Sequence, residues 1–238
     1  MSANIHVVFD FDGTLATTFV GGEMFRCCTP PDRVAELSAN FSDGEISLRQ
    51  YQEAVFDMVD ETTFEMSKRA ELNGCIRRCA TEVCELVWDS GGVVSVASAG
   101  LDFYIKPVLE KAGLDRVELH SGKVLSEPAE RPPFRYDYPS YVKSCKGDWV
   151  TCKCEVINRL KSNHGASEVI FVGDGLLGDA CAAANAADTV FATGKLLRYC
   201  KENKISATEF GKDFGPLVRY LHDKTCLLYT SPSPRDRG

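Results

Sequence analysis

The chain has 238 residues, 44% hydrophobic and 26% charged, with a formal net charge of −7. It is long enough for one full core with a modest inserted domain, and the acidic balance argues against nucleic acid or an anionic membrane as the main partner. No apolar run reaches the length of a membrane span and no secretory leader opens the chain, so a cytosolic enzyme is expected, with an unspecified oligomeric state.

The first informative segment is V-V-F-D-F-D-G-T-L, Val7 to Leu15. Its apolar run reads as a buried parallel strand, and Asp10 and Asp12 follow at its carboxyl end, where open α/β sheets bind ligands. An acidic surface turn is the plainer alternative, since Asp-Gly is a common turn dipeptide. No strong strand follows until Gly91. Helical stretches are expected instead at Pro31 to Asn40, Ser47 to Asp60, Thr62 to Leu72 and Cys75 to Asp89. About seventy residues exceed what one crossover needs, so 17–88 is read as an inserted helical cap.

A second strand is expected at Val93 to Ala97, ending in S-A-G, Ser98 to Gly100, with a helix at Leu101 to Ala112 and a short strand at Val117 to His120. An N-cap for that helix is the lesser alternative for Ser98, and Asp102 reads as a first-turn helix acid. The proline- and aromatic-containing stretch 122–149 suggests a hairpin or flap beside a site, or a merely structural loop. Of three lysines in the next segment, Lys143, Lys146 and Lys153, the last is favoured because it opens a helix over Cys154 to Lys161.

The second acidic cluster is E-V-I-F-V-G-D-G-L-L-G-D, Glu168 to Asp179. A β-branched strand, Val169 to Val172, leads into a glycine turn and a small-residue helix, Ala180 to Ala187, so Asp174 and Asp179 can meet the first acid pair at one sheet edge. Such a group of carboxylates needs a cation or a retained proton, and oxygen-only ligands suit Mg²⁺. The same turn spells G-x-G-x-x-G, a dinucleotide fingerprint, but Thr193, Gly194 and Lys195 stand where an acid should hold the ribose.

Eleven cysteines cannot all pair, and reduced thiols are expected; Cys145, Cys152 and Cys154 lack the usual zinc spacing, with a structural zinc kept as the alternative. The run 227–238 has no helical or strand period, resembles translated adaptor read-through, and is set apart as a non-native tail; a phosphorylatable Ser-Pro tail is the alternative.

D-x-D-G-T, the strand-ending Ser98, Lys153 and the Asp174/Asp179 pair resemble, in order and spacing, the motifs of the haloacid dehalogenase superfamily of phosphotransferases. The resemblance is sharpest toward the phosphoserine-phosphatase-like branch, and within it toward methionine-salvage phosphatases acting on a ketopentenyl phosphate, through Ser98 to Glu110, Ser42 to Tyr51 and Asp188 to Cys200. It implies an α/β fold, a three-layer Rossmann-like parallel sheet, with core residues 1–16 and 89–226 around the helical cap. It implies a small phosphorylated metabolite as substrate, Asp10 as nucleophile, Asp12 as acid and base, Ser98 and Lys153 on the phosphoryl oxygens, and Mg²⁺ held by Asp10, the Asp12 carbonyl, Asp174 and Asp179. Ala99 and Gly100 would join Ser98 and Lys153 in binding substrate. Relatives carry a substrate-reading acid in the first turn after D-G-T; here Glu23 is the first acid, so Glu23 and Arg26 are the cap candidates for specificity. Other readings are a phosphoserine, pyridoxal phosphate or thiamine phosphate phosphatase, a phosphomutase, and a binding protein that keeps the fold without turnover.

Overall fold

The computed structural model describes residues 4–25, 29–145, 147 and 149–229, with side chains to 224. Arg26, Lys146 and the end of the expected tail, 230–238, lie outside the described residues. Along the chain stand β1 (Ile5–Phe9), α1 (Val20–Phe25), α2 (Pro31–Ser42), α3 (Leu48–Phe56), α4 (Thr63–Asn73), α5 (Ala80–Asp89), β2 (Val94–Leu101), α6 (Asp102–Lys111), β3 (Glu118–Val124) and β4 (Tyr136–Asp137). Then come α7 (Lys153–His164), β5 (Glu168–Gly173), α8 (Asp179–Asn185), β6 (Thr189–Ala192), α9 (Gly194–Glu202), β7 (Thr208–Glu209) and α10 (Gly215–Tyr229). α10 thus continues through the first residues of the stretch read as a structureless tail.

The sheet order is β4-β3-β2-β1-β5-β6-β7, with all pairs parallel except β3 with β4. From β1 the chain winds outward one way through β2 and β3, then returns to the other side of β1 with β5. The β1/β5 boundary is therefore the switch point, where the carboxyl ends of two neighbouring strands leave a crevice. Every residue of β1 and β5 is buried, as a parallel sheet covered on both faces requires. The two-residue alternation divides them: Ile5, Val7 and Phe9 enter one core with residues of α5, α6 and α10, while Val8 and Phe171 enter the other with residues of α7, α8 and α9.

The helices of the insertion begin as their sequences dictate. Ser47 and Gln50 form a reciprocal capping box on α3, and Thr62 and Glu65 another on α4. α1 and α4 pack against α6, and α2 against α3. The stretch expected as one cap divides, however. α5 packs on β1, β2 and α10, because Val83, Cys84 and Val87 form an apolar face that the sheet buries. The crossing lies earlier, where Thr17 N–H donates to Cys75 O and Arg77 N–H to Leu15 O, each at 2.8 Å.

β2 runs past the expected Ala97 to Leu101. It stays in register with β3 at Ala97 opposite His120 and again at Leu101 opposite Gly122, so Ser98 to Gly100 bulge out between those two pairs. Stretch 122–149 does open as a hairpin, but it is fastened to the insertion: Tyr138 hydroxyl donates to Glu53 at 2.6 Å and Phe64 N–H to Pro128 O at 3.0 Å.

Glu168, at the start of β5, accepts hydrogen bonds from Thr189, Tyr220 and Lys224, which tie α10 to the sheet. These partners hold its carboxyl below the usual range against the opposing effect of burial. A depressed carboxylate adds stability above its unfolded pKa and loses it as pH falls through the folded value. Glu168→Ala should lower unfolding free energy by about 2 kcal/mol at pH 7, with the difference from wild type shrinking in urea titrations at pH 3–4.

Candidate active site

Each site residue is placed by the end of a strand or the first turn of a helix. Asp10 follows β1, and its N–H donates to Val172 O at 2.9 Å, which locks it beside β5. Asp174 follows β5, Lys153 is the first residue of α7 and Asp179 the first of α8. One carboxylate oxygen from each of Asp10, Asp174 and Asp179 lies within 4.8 Å of the others. Lys153 Nζ reaches both Asp10 Oδ1 and Asp179 Oδ1 at 2.5 Å. Asp10 thus meets two acids that stand 164 and 169 positions further along the chain, as their places beside the ends of β1 and β5 imply.

The turns hold these groups in fixed orientations. Thr14 hydroxyl donates to Asp174 Oδ1 at 2.9 Å, and Gly175 N–H to Asp179 Oδ2 at 3.0 Å. Gly13 has φ +80°, and a Cβ there would stand 2.7 Å from Asp174 Oδ2, so the turn requires glycine on both counts. Arg77, stacked on Phe210 and Phe214, donates to the carbonyls of Gly13 at 2.6 Å and Thr14 at 2.7 Å. It clamps the acid-bearing turn from behind.

Asp12 stands apart from the cluster. Its carboxylate turns toward the insertion and accepts the Gly21 N–H at 3.3 Å. Beside it lies Tyr104, fully buried: a Cβ at Gly21 would come within 2.9 Å of the Tyr104 hydroxyl, and one at Gly100 within 2.2 Å. Two glycines therefore let one phenol fill the gap between α1 and the β2 bulge. Ser98 is buried in that bulge, where its hydroxyl accepts the Gly100 N–H at 3.0 Å. It is not the N-cap of α6; Leu101 occupies that position with no side-chain cap, and Asp102 instead accepts the Val124 N–H at 3.2 Å. Gln52 of α3 reaches over and donates to Ala99 O at 3.2 Å.

Burial and crowding set the charges. Asp10 is pushed up to about 7, chiefly by burial, with Lys153 pulling the other way and Asp179 and Asp174 adding to the rise. Asp12 is also pushed up to about 7 by burial, with the backbone hydrogen bonds of Gly21 and Val20 opposing. Burial raises Asp174 too, against its Thr14 bond. Burial would lower Lys153, but Asp10 and Asp179 outweigh it and hold the ammonium charged. Three carboxylates facing one ammonium leave an excess of negative charge in low dielectric, and the all-oxygen donor set fits a hard divalent cation.

Among the lysines weighed from sequence, Lys153 is buried at the cluster while Lys143 is exposed. Glu23 lies half-buried on α1 with its neighbours Gly21, Gly22 and Met24 buried. Among the described residues, Cys145, Cys152 and Cys154 are free thiols, and no cysteine belongs to a group of three or more ligand atoms within 4.8 Å of one another. Sequence reading did not assign roles to Thr14, Arg77, Tyr104 or Gln52. Thr14 and Tyr104 lie inside motifs already singled out, whereas Arg77 and Gln52 carry no local signal.

A family model described as haloacid dehalogenase-like hydrolase matches residues 7–184. The bifunctional enzyme MtnB/MtnX of Bacillus licheniformis is 27% identical over 223 residues, 91% of this chain but 49% of that protein, so the chain spans about half its length. A 2-hydroxy-3-keto-5-methylthiopentenyl-1-phosphate phosphatase of Bacillus cytotoxicus is 26% identical over 208 residues, 87% of this chain and 91% of that one. In three dimensions the chain is similar to a phosphoserine phosphatase solved as a phospho-aspartyl intermediate analogue, with TM-score 0.66, 18% identity, and coverage of 90% of this chain and 97% of the other. The match across three quarters of the chain, over the strands that carry Asp10, Ser98 and Asp174, places this protein in the haloacid dehalogenase-like hydrolase family.

Proposed function

We propose that the chain hydrolyses a small phosphate monoester by transferring the phosphoryl group to Asp10. The observation that carries this reading is Lys153, buried between Asp10 and Asp179 at the β1/β5 switch point with Asp174 completing the cluster. Mg²⁺ bound by Asp10, Asp174 and Asp179, and by the Asp12 carbonyl as the family resemblance implies, would offset the charge shared by carboxylates and phosphate.

Asp10 Oδ attacks phosphorus as the bond to the leaving oxygen breaks, and Asp12 gives its proton to that oxygen. Asp12 then takes a proton from water as the water attacks the aspartyl phosphate, which frees Asp10 and restores the acid. A carboxyl pushed up to about 7 suits both directions of transfer near neutral pH. Lys153 and Ser98 hold the phosphoryl oxygens as charge redistributes, and Tyr104 and the insertion exclude bulk water. The insertion also selects substrate through the region of Glu23, with Arg26 the second candidate.

The relatives named above favour the ketopentenyl phosphate of methionine salvage as substrate, and the structural neighbour suggests phosphoserine as the comparison. A screen of phosphorylated metabolites with and without Mg²⁺ tests the reading, with pyridoxal phosphate and thiamine phosphate included. The expected outcome is Mg²⁺-dependent release of phosphate, highest in kcat/KM for the ketopentenyl phosphate and abolished by EDTA. Release that persists in excess EDTA would overturn the metal assignment, and binding without turnover would leave a fold kept for recognition. Asp10→Asn should fold normally and lose about 10³-fold or more in kcat.

Asp12 gives a prediction of definite sign. The proton it donates is present below about pH 7, so kcat should fall as pH rises through that value, and Asp12→Asn should remove that limb together with most turnover. Because its folded pKa is raised, the folded state binds this proton more tightly than the unfolded chain, and stability is lost as pH rises from about 4 to about 7. In EDTA, Asp12→Asn should therefore be more stable than wild type by about 2–4 kcal/mol at pH 8 but not at pH 4, as read by urea unfolding.

A further inference from the structure

Behind the Lys153–Asp179 pair stand two cysteines that the chemistry above does not use. Cys154 follows Lys153 in the first turn of α7, and Cys181 stands two residues after Asp179 in α8. Their sulfurs are 3.2 Å apart, with the Cys154 thiol donating to Cys181. Asn185 Nδ2 donates to the same Cys181 sulfur at 3.5 Å. Cys181 is exposed, Cys154 is half-buried, and neither is in a disulfide. α7 and α8 pack directly on one another, so the two thiols face across a helix–helix contact rather than meeting on mobile loops.

We propose that Cys154 and Cys181 form a reversible disulfide that switches the catalytic site in response to a hydroperoxide. The exposed Cys181 sulfur attacks the peroxide O–O bond, giving a sulfenic acid and, with the displaced thiol proton, one water or alcohol. The Cys154 sulfur then attacks the sulfenic sulfur, an S–S bond forms, and the hydroxyl leaves as water with the second thiol proton. Two thiols are oxidised to one disulfide, and one peroxide is reduced.

The geometry couples this bond to the site. Closing the sulfurs from 3.2 Å to a disulfide's roughly 2.05 Å draws the first turns of α7 and α8 together. The residues beside them are Lys153 and Asp179, both buried and already in contact at 2.5 Å. That contact cannot shorten, so whatever part of the closure is not taken up by rotation of the cysteine side chains turns or slides the helix ends. A displacement near 1 Å at a reacting group can cost on the order of 10²-fold in rate.

The test uses the full chain, reduced, desalted and treated with hydrogen peroxide. Intact mass and a non-reducing peptide map should show the loss of two hydrogens and a link between the peptides that carry Cys154 and Cys181. Magnesium-supported hydrolysis of para-nitrophenyl phosphate should fall tenfold or more and return with dithiothreitol. Cys181→Ser and Cys154→Ser should each keep their rate through the same treatment. The effect on rate rests on the phosphatase reading, and the rate of the reduced protein separates failure of that reading from failure of the switch. A link that joins other cysteines, a Cys154–Cys181 link that leaves the rate unchanged, or a Cys181→Ser variant that loses activity as wild type does would each overturn the proposal.

Discussion

Lys153 carries a charge into a place that is 3% exposed, and it can do so because Asp10 and Asp179 meet it there from two different strand–helix junctions. A buried ammonium without such partners would cost several kcal/mol or give up its proton. The same is true of the acids, whose mutual repulsion is relieved in part by this lysine and in part by the hydrogen bonds from Thr14 and Gly175. Much of the surrounding architecture serves to hold this arrangement: the Asp10 N–H on Val172, the glycine turn at Gly13, and the Arg77 clamp on the carbonyls of that turn.

The arrangement is stable in geometry while unbalanced in charge, and that combination is what a phosphoryl-transfer site needs. A fully neutralised cluster would have no use for a cation, and a solvated one would lose the low dielectric in which fixed charges act strongly. Asp12 is kept out of the cluster by its bond to Gly21, so it answers to burial and to the insertion rather than to Lys153 alone. Two carboxylates two residues apart thereby acquire different surroundings and can take different parts in one reaction.

The insertion is bound to the core at more than the two points where the chain crosses into and out of it. Gln52 on Ala99, Tyr138 on Glu53 and Phe64 on Pro128 connect α3 and α4 to the β2 bulge and to the hairpin. The strand-end bulge at Ser98 to Gly100 therefore lies between the catalytic sheet and the cap helices, with Tyr104 packed beneath it. In the proposed reaction, substrate recognition and phosphate binding would share this segment.

The parallel sheet and its acidic edge were legible in the sequence because they depend on local signals: buried strands rich in β-branched residues, two of which, β1 and β5, run into an acid and a glycine. Period and turn chemistry write such features into a few consecutive residues. The end of the cap was not legible, since α5 has the same helical period as α3 and α4 and only packing shows that its apolar face lies on β1 and β2. The extension of β2 was hidden for a similar reason, because an S-A-G stretch reads as a turn until the pairing of Leu101 with Gly122 makes it a bulge. Arg77 beneath the acid turn, Gln52 over Ala99 and the Cys154–Cys181 contact join residues 27 to 64 positions apart. Residue type and spacing along the chain determined which groups could do chemistry. Which of them touch was decided only when parallel strands, brought together by crossovers, delivered their ends to one edge.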